Sequence, residues 1–201
     1  EQTTQLDIGA QWSEQGLKLW SSVYAAYIKD YILHDYGTGS ARVRNVDAEI
    51  AGAELGLNWQ FAPSWSSQLT LAYAWGRRVA DHKPLPQMPP LEARVNLNYQ
   101  AGPWSAGVLW RLVASQHRYT PQLGNVVGRD FGPSGGFGVV SLNSAYALSK
   151  NYKISVGLDN VFDKRYAEHL NRMGNSGFGY SGTTRLQEPG RTFWLRGDVK
   201  F

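Results

Sequence analysis

A chain of 201 residues with 18% charged residues, a net charge of +4 and a mean hydropathy of −0.39 is too polar for helical membrane spans. No apolar run reaches the ~18 residues that such a span needs. The basic residues are scattered rather than interleaved with aromatics, which argues against a nucleic-acid partner. Cysteine is absent, and the opening Glu1-Gln2-Thr3-Thr4 lacks the apolar segment of an export signal, so the chain reads as processed or as a piece of a longer protein.

Alternation with a period of two runs through the chain and predicts strands with one apolar and one polar face. Residues 2–13 form the first, with Leu6, Ile8, Ala10 and Trp12 in phase, and a short turn at Glu14 to Gly16 follows. The second, residues 17–33, carries Trp20, Tyr24, Tyr27 and Tyr31, and its phase is ambiguous because both parities are apolar. His34 to Ala41, with Gly37 and Gly39, breaks it. In the third, residues 42–61, Leu55, Leu57, Trp59 and Phe61 oppose Glu54, Gly56, Asn58 and Gln60, and Ala62-Pro63-Ser64 makes a tight turn.

The fourth segment, residues 65–79, sets Trp65, Leu69, Leu71, Tyr73 and Trp75 against Ser66, Gln68, Thr70, Ala72 and Ala74. At ~3.3 Å per residue and ~40° tilt, the stretch between the two tryptophans covers roughly 25 Å, the height of the apolar band of a membrane barrel. Pro84, Pro86, Pro89 and Pro90 exclude a strand from the loop that follows. In the fifth, residues 91–100, Leu91, Ala93, Val95, Leu97 and Tyr99 alternate with Glu92, Arg94, Asn96, Asn98 and Gln100. A water-filled lumen accommodates that polar row more simply than a soluble two-layer sheet does. The sixth runs from Trp104 to Val113, the seventh from Gly138 to Leu148, the eighth from Tyr152 to Val161, and the ninth closes the chain.

In that last segment Phe193, Leu195, Gly197, Val199 and Phe201 alternate with Trp194, Arg196, Asp198 and Lys200. Connections of about three residues alternate with longer ones at 115–137 and 163–189, the asymmetry of outer-membrane barrels. The 8 Trp and 11 Tyr suit the two membrane interfaces.

The run Leu158-Asp159-Asn160-Val161-Phe162-Asp163-Lys164-Arg165-Tyr166, followed after a long loop by Glu188-Pro189-Gly190-Arg191-Thr192 and a strand ending in Phe201, closely resembles the last two barrel strands of TonB-dependent outer-membrane receptors. Tyr166-Ala167-Glu168-His169-Leu170-Asn171-Arg172 is most similar to the copper-receptor branch of that family. The resemblance implies an all-β, antiparallel transmembrane barrel portion, about nine strands of a larger barrel of about twenty-two. It further implies that residues 1–201 are the C-terminal part of the barrel, with the plug domain, the earlier strands and the energy-coupling segment upstream. The implied partners are outer-membrane lipid and lipopolysaccharide, the protein's own plug, and the TonB complex. First and last strands would then present unpaired edges rather than pair with each other.

No nucleophile–base motif, phosphate-binding glycine loop or H-E-x-x-H motif occurs, so an enzyme is not expected. His34, His82, His117 and His169 and both methionines, Met88 and Met173, fall in or beside the long connections. His169 and Met173, four apart, are the candidate soft pair for copper, weighed against ordinary loop residues. Arg77, Arg78, Arg118, Arg129, Arg165 and Arg172 are placed near the outer rim, to attract an anionic chelate, to meet lipopolysaccharide phosphates, or to be solvated. Glu54, Glu92, Arg94, Arg111, Arg196 and Asp198 are read as a wall of lumen ion pairs, and Asp159, Asn160 and Asp163 as satisfying backbone groups at the strand exit. No cofactor is expected; copper or a metal chelate is the expected cargo. The competing functions are a receptor for a siderophore or other chelate, a passive or structural barrel, and, more distantly, a soluble carbohydrate-binding β protein.

Overall fold

The computed structural model describes residues 1–37, 42–126 and 128–201. Residues 38–41, half of the predicted break after the second segment, lie outside the described residues, as does Val127. One antiparallel sheet is built from β1 (Gln2–Glu14), β2 (Leu17–Asp35), β3 (Arg42–Ala62), β4 (Trp65–Arg78), β5 (Glu92–Ala101), β6 (Trp104–Val113), β7 (Leu123–Gly124), β8 (Phe137–Ala147), β9 (Tyr152–Asp159) and β10 (Thr192–Val199). Nine of these strands neighbour each other in chain order, from β1 to β6 and on through β8, β9 and β10. β7 is the departure from expectation: two residues inside the 115–137 connection pair with His34 and Asp35 at the top of β2. They occupy the edge of β2 that β1, whose pairing ends at Lys29, leaves open.

The short turns follow from local chemistry. Gln15 and Gly16 take φ of 42° and 84°, the left-handed pair that matches the twist of the strands they join. Pro63 and Pro103 sit in two of the other tight turns, where a missing N–H costs no ladder bond.

The register resolves the ambiguous phase of β2. From Lys18 to Ile28 its even residues share a face with Glu54, Gly52 and Ala48 of β3. Between Ile28 and Tyr31 the register slips through a bulge in which Asp30 takes φ 59°, so Tyr31 and Leu33 then turn to that same face. The Asp30 N–H is retained by Asp47 Oδ1 at 3.1 Å, and the Tyr27 hydroxyl donates to the same carboxylate at 2.9 Å. A slip of one residue exchanges the two faces, so a strand with one bulge shows apolar residues at both parities.

One face of the sheet lies under the long connections and is the inner face. Glu168 reaches Arg111 there, Tyr166 covers Phe137 with ring centroids 4.3 Å apart, and Leu85 and Met88 cover Gly76. Glu92, Arg94, Arg111, Arg196 and Asp198 carry the expected ion pairs along this wall; Glu54 carries none among the described residues. Inward aromatics lie flat over glycines of the adjacent strand. A Cβ on Gly56 would stand 2.0 Å from Trp20, on Gly52 2.4 Å from Tyr24, and on Gly157 2.1 Å from Trp194. The opposite face presents Leu6, Ile8, Val23, Leu55, Leu71, Tyr73, Leu97 and Leu195 without cover.

Both buried apolar clusters sit at the long-connection end of the inner face. Ile28, Ala48 and Leu85 form one with Tyr31, Ile50 and Met88; Val113, Phe137 and Val139 form the other with Tyr166. At the exit of β9, Asn160 (φ 50°) accepts from the Lys164 N–H at 2.8 Å and donates to the Lys164 carbonyl at 2.9 Å. Asp163 accepts from the Arg191 N–H at 2.9 Å, so the motif fastens the two ends of the 160–191 connection together. Among the described residues β1 pairs only with β2 and β10 only with β9, so both edges are open as expected.

Two outcomes follow. Spin labels at Leu69, Leu71, Leu97 and Leu195 in the membrane-inserted protein will be reached by oxygen and shielded from a water-soluble quencher, and labels at Gln68, Asn96 and Arg196 will show the reverse; a common pattern would refute the face assignment. Asn160→Ala leaves buried backbone groups unpaired and will lower the unfolding free energy in lipid by about 1–3 kcal/mol.

Candidate functional site

The 79–91, 114–136 and 160–191 connections are tied into one layer over the inner wall. Asp130, 3% exposed, is the knot. Its Oδ1 accepts from the Gln87 N–H at 2.9 Å and from Gln87 Nε2 at 3.1 Å, and its Oδ2 accepts from the Thr120 N–H at 2.8 Å. Thr120 Oγ1 donates to the Pro84 carbonyl at 2.7 Å, and Arg185 donates to the carbonyls of Pro133 and Gly132 at 2.7 and 2.6 Å.

His169 is buried in this knot rather than displayed. Its Nδ1 and Ser134 Oγ are hydrogen-bonded at 3.0 Å, while its Nε2 stands 3.9 Å from Asp130 Oδ1 with no hydrogen-bond partner among the described residues. Met173, the other member of the candidate pair, is part-buried at the margin of a separate cleft, its backbone bridged to Arg185. Among the described residues, no group of three or more His, Asp or Glu side chains is placed to hold a metal ion.

The cleft beside Met173, about 650 Å³, is lined by Tyr36, Arg129, Phe131, Arg172 and Asn175 as well. The Arg129 guanidinium lies 5.9 Å from the Tyr36 ring and 5.1 Å from the Phe131 ring, with Nη1 donating to Gln122 Oε1 at 2.8 Å. Tyr36 is fixed from its own side, its N–H donating to the Gln122 carbonyl at 2.8 Å and its hydroxyl to the Asn125 carbonyl at 2.9 Å. Arg129 and Phe131 flank Asp130, so the knot sets where they point. A guanidinium held beside two aromatic rings offers its remaining N–H groups to an anion.

Sequence reasoning placed Arg129, Arg172 and Met173 near this end but gave no role to Asp130, Ser134, Tyr36 or Phe131. They lie in aperiodic loops, and only the pairing of β7 with β2 brings Tyr36 to the others. Of the remaining candidates, Arg78 is buried against Asp81 at 2.7 Å, His34 stacks on Tyr36 at 6.1 Å, and Met88 packs on the Ile28 cluster.

Burial pushes the His169 imidazole below the ordinary histidine range; Asp130 opposes that shift and Arg185 adds to it. The folded layer therefore holds a neutral ring. Because an unfolded histidine takes its proton near pH ~6.5, the layer keeps full stability above that value and loses it as pH falls toward the lower folded value. Hydrogen-exchange protection factors for residues 164–172 should be smaller at about pH 5.5 than at about pH 7.5, and His169→Asn should remove the difference. Equal protection at both values would refute a buried neutral imidazole.

Residues 1–161 match the family model for "TonB dependent receptor-like, beta-barrel". A solved structure of the copper transporter OprC is 51% identical over 99% of this chain and 31% of its own, with a TM-score of 0.96. The FrpB iron transporter from Neisseria meningitidis (F3-3 variant) shares the fold at 19% identity and a TM-score of 0.74, covering 99% of this chain and 30% of its own. Among curated proteins, the ferric enterobactin receptor of Pseudomonas aeruginosa is 40% identical over 58 residues, 29% of this chain and 8% of that receptor. The chain thus spans under a third of the length of these relatives.

Proposed function

The chain belongs to the TonB-dependent receptor β-barrel family of the outer membrane, and from that premise we propose that residues 1–201 are the C-terminal barrel portion of a receptor that imports a metal or metal complex, with copper as the favoured cargo. One observation carries the copper reading: likeness to a copper transporter at 51% identity along 99% of the chain, where the iron receptors share the fold at 17–22%. The remaining strands, the plug and the TonB-coupling segment belong, on this reading, to the rest of the receptor, and the open edges of β1 and β10 are where those strands join. Transport rather than catalysis is the activity proposed, with lipopolysaccharide, the plug and the TonB complex as partners.

This portion contributes the outer layer. The 650 Å³ cleft offers the Arg129 guanidinium, set beside two aromatic rings, to an arriving anionic complex. A second reading, a receptor for a ferric siderophore or similar chelate, draws on the same Arg129–Tyr36–Phe131 arrangement and on the 58-residue likeness to the ferric enterobactin receptor.

Cells lacking their own copper receptor and expressing the full-length protein should accumulate copper in a TonB-dependent manner, and ferric catecholates should not compete. Accumulation of the iron chelate instead would favour the second reading, and TonB-independent leakage would make the barrel a passive pore. For His169→Asn with Met173→Ala, copper accumulation is expected to persist at normal receptor abundance, because His169 already has Ser134 and Asp130 as neighbours. Loss of uptake would make the pair cargo ligands.

A further inference from the structure

The outer face of β4 ends in an arrangement that neither the cleft nor the wall uses. Leu69, Leu71, Tyr73 and Trp75 follow one another on the uncovered face, and Trp75 stands where the apolar band stops. Two guanidiniums lie against its ring: Arg77, two residues further along the same face, at 5.3 Å, and Arg118 at 4.8 Å. Arg118 comes from the 114–136 connection, which also carries β7 and the Asp130 knot. Its Nη2 donates to the Gly76 carbonyl at 3.1 Å, which holds the guanidinium at the outer rim rather than free in solvent.

The charges around this pair are not balanced at Arg118. Glu49 takes the Arg77 Nε at 2.7 Å, and Asp47 is occupied by the Tyr27 hydroxyl and the Asp30 N–H. Among the described residues no carboxylate pairs with Arg118, and neither Nη of Arg77 has a protein acceptor. A tryptophan at the edge of a lipid-facing band sits at headgroup depth, and arginine donates forked hydrogen bonds to phosphate. Stacking on the indole spares each guanidinium part of the entropy of being held in place.

We propose that Trp75, Arg77 and Arg118 form a docking site for the phosphorylated headgroup of an outer-leaflet glycolipid. The inference rests on the outer-membrane reading of the chain and is independent of the cargo. The glucosamine-linked phosphate meets the two Nη groups of Arg77 and Nη1 of Arg118, and the acyl chains of the lipid run down the face of Tyr73, Leu71 and Leu69. Because Arg118 and the Asp130 knot belong to one connection, the bound lipid also braces the outer layer from outside.

The test uses full-length receptor in nanodiscs containing bisphosphorylated lipid A or its dephosphorylated form, with retained glycolipid counted by native mass spectrometry. Retention of lipid A should fall about tenfold in Arg77→Gln with Arg118→Gln, the loss of charge-assisted hydrogen bonds to phosphate. Arg118→Lys alone should keep part of it, and dephosphorylated lipid should bind wild type no better than the double variant. Copper uptake by the variants serves as the control for folding and is independent of the outcome; if the double variant fails to assemble, the comparison of the two lipids on wild type decides. Equal retention of both lipids by wild type, equal retention of lipid A by wild type and the assembled double variant, or full displacement of lipid A by inorganic phosphate would overturn the proposal.

Discussion

Inside a hydrocarbon layer a backbone N–H or C=O without a partner costs several kcal/mol, and in this chain the partners come from adjacent strands. That constraint accounts for most of what is seen. It selects strands throughout, makes each neighbour antiparallel, joined alternately by short turns and long connections, and leaves β1 and β10 as edges that the described residues do not satisfy. It also frees the side chains to divide by solvent, with apolar rows outside and Glu92 and Glu168 neutralising Arg94 and Arg111 inside.

The sheet was legible because this division is written residue by residue. Alternation located all nine principal strands to within a residue or two, and Asp159-Asn160 to Tyr166 announced the strand exit that Asn160 and Asp163 then fasten. What was hidden has a physical reason in each case. The bulge at Asp30 scrambles parity, so β2 looked two-sided. β7 is two residues long, too short for any period, and pairs with the top of β2. The burial of His169 depends on Asp130 and Ser134, 39 and 35 residues away along the chain, and loop contacts at that separation leave no periodic trace.

The inner wall shows a second economy. Trp20, Tyr24 and Trp194 are large residues on a face that must stay hollow, and each lies down across a glycine of the next strand. The wall thereby remains thin while the glycine backbone is shielded. Trp194 covers Gly157 within the two-strand motif that carries the family resemblance, so motif and wall are one structure.

The bulge in β2 also divides the protein between two solvents. Well below it Val23 and its odd-numbered neighbours look outward to lipid; above it Tyr31 looks inward onto Ile28, Ala48 and Leu85 under the loops, and Leu33 is buried on the same face. The lower part is an inside-out protein and the upper part an ordinary one, with a dry centre and a wet skin. The two halves therefore answer to different agents. Bilayer thickness and detergent act on the lower half, where apolar surface is already solvated by chains like its own. Urea, temperature and acid act on the crown, whose cohesion comes from excluding water. The crown can therefore loosen while the wall stays locked in the membrane.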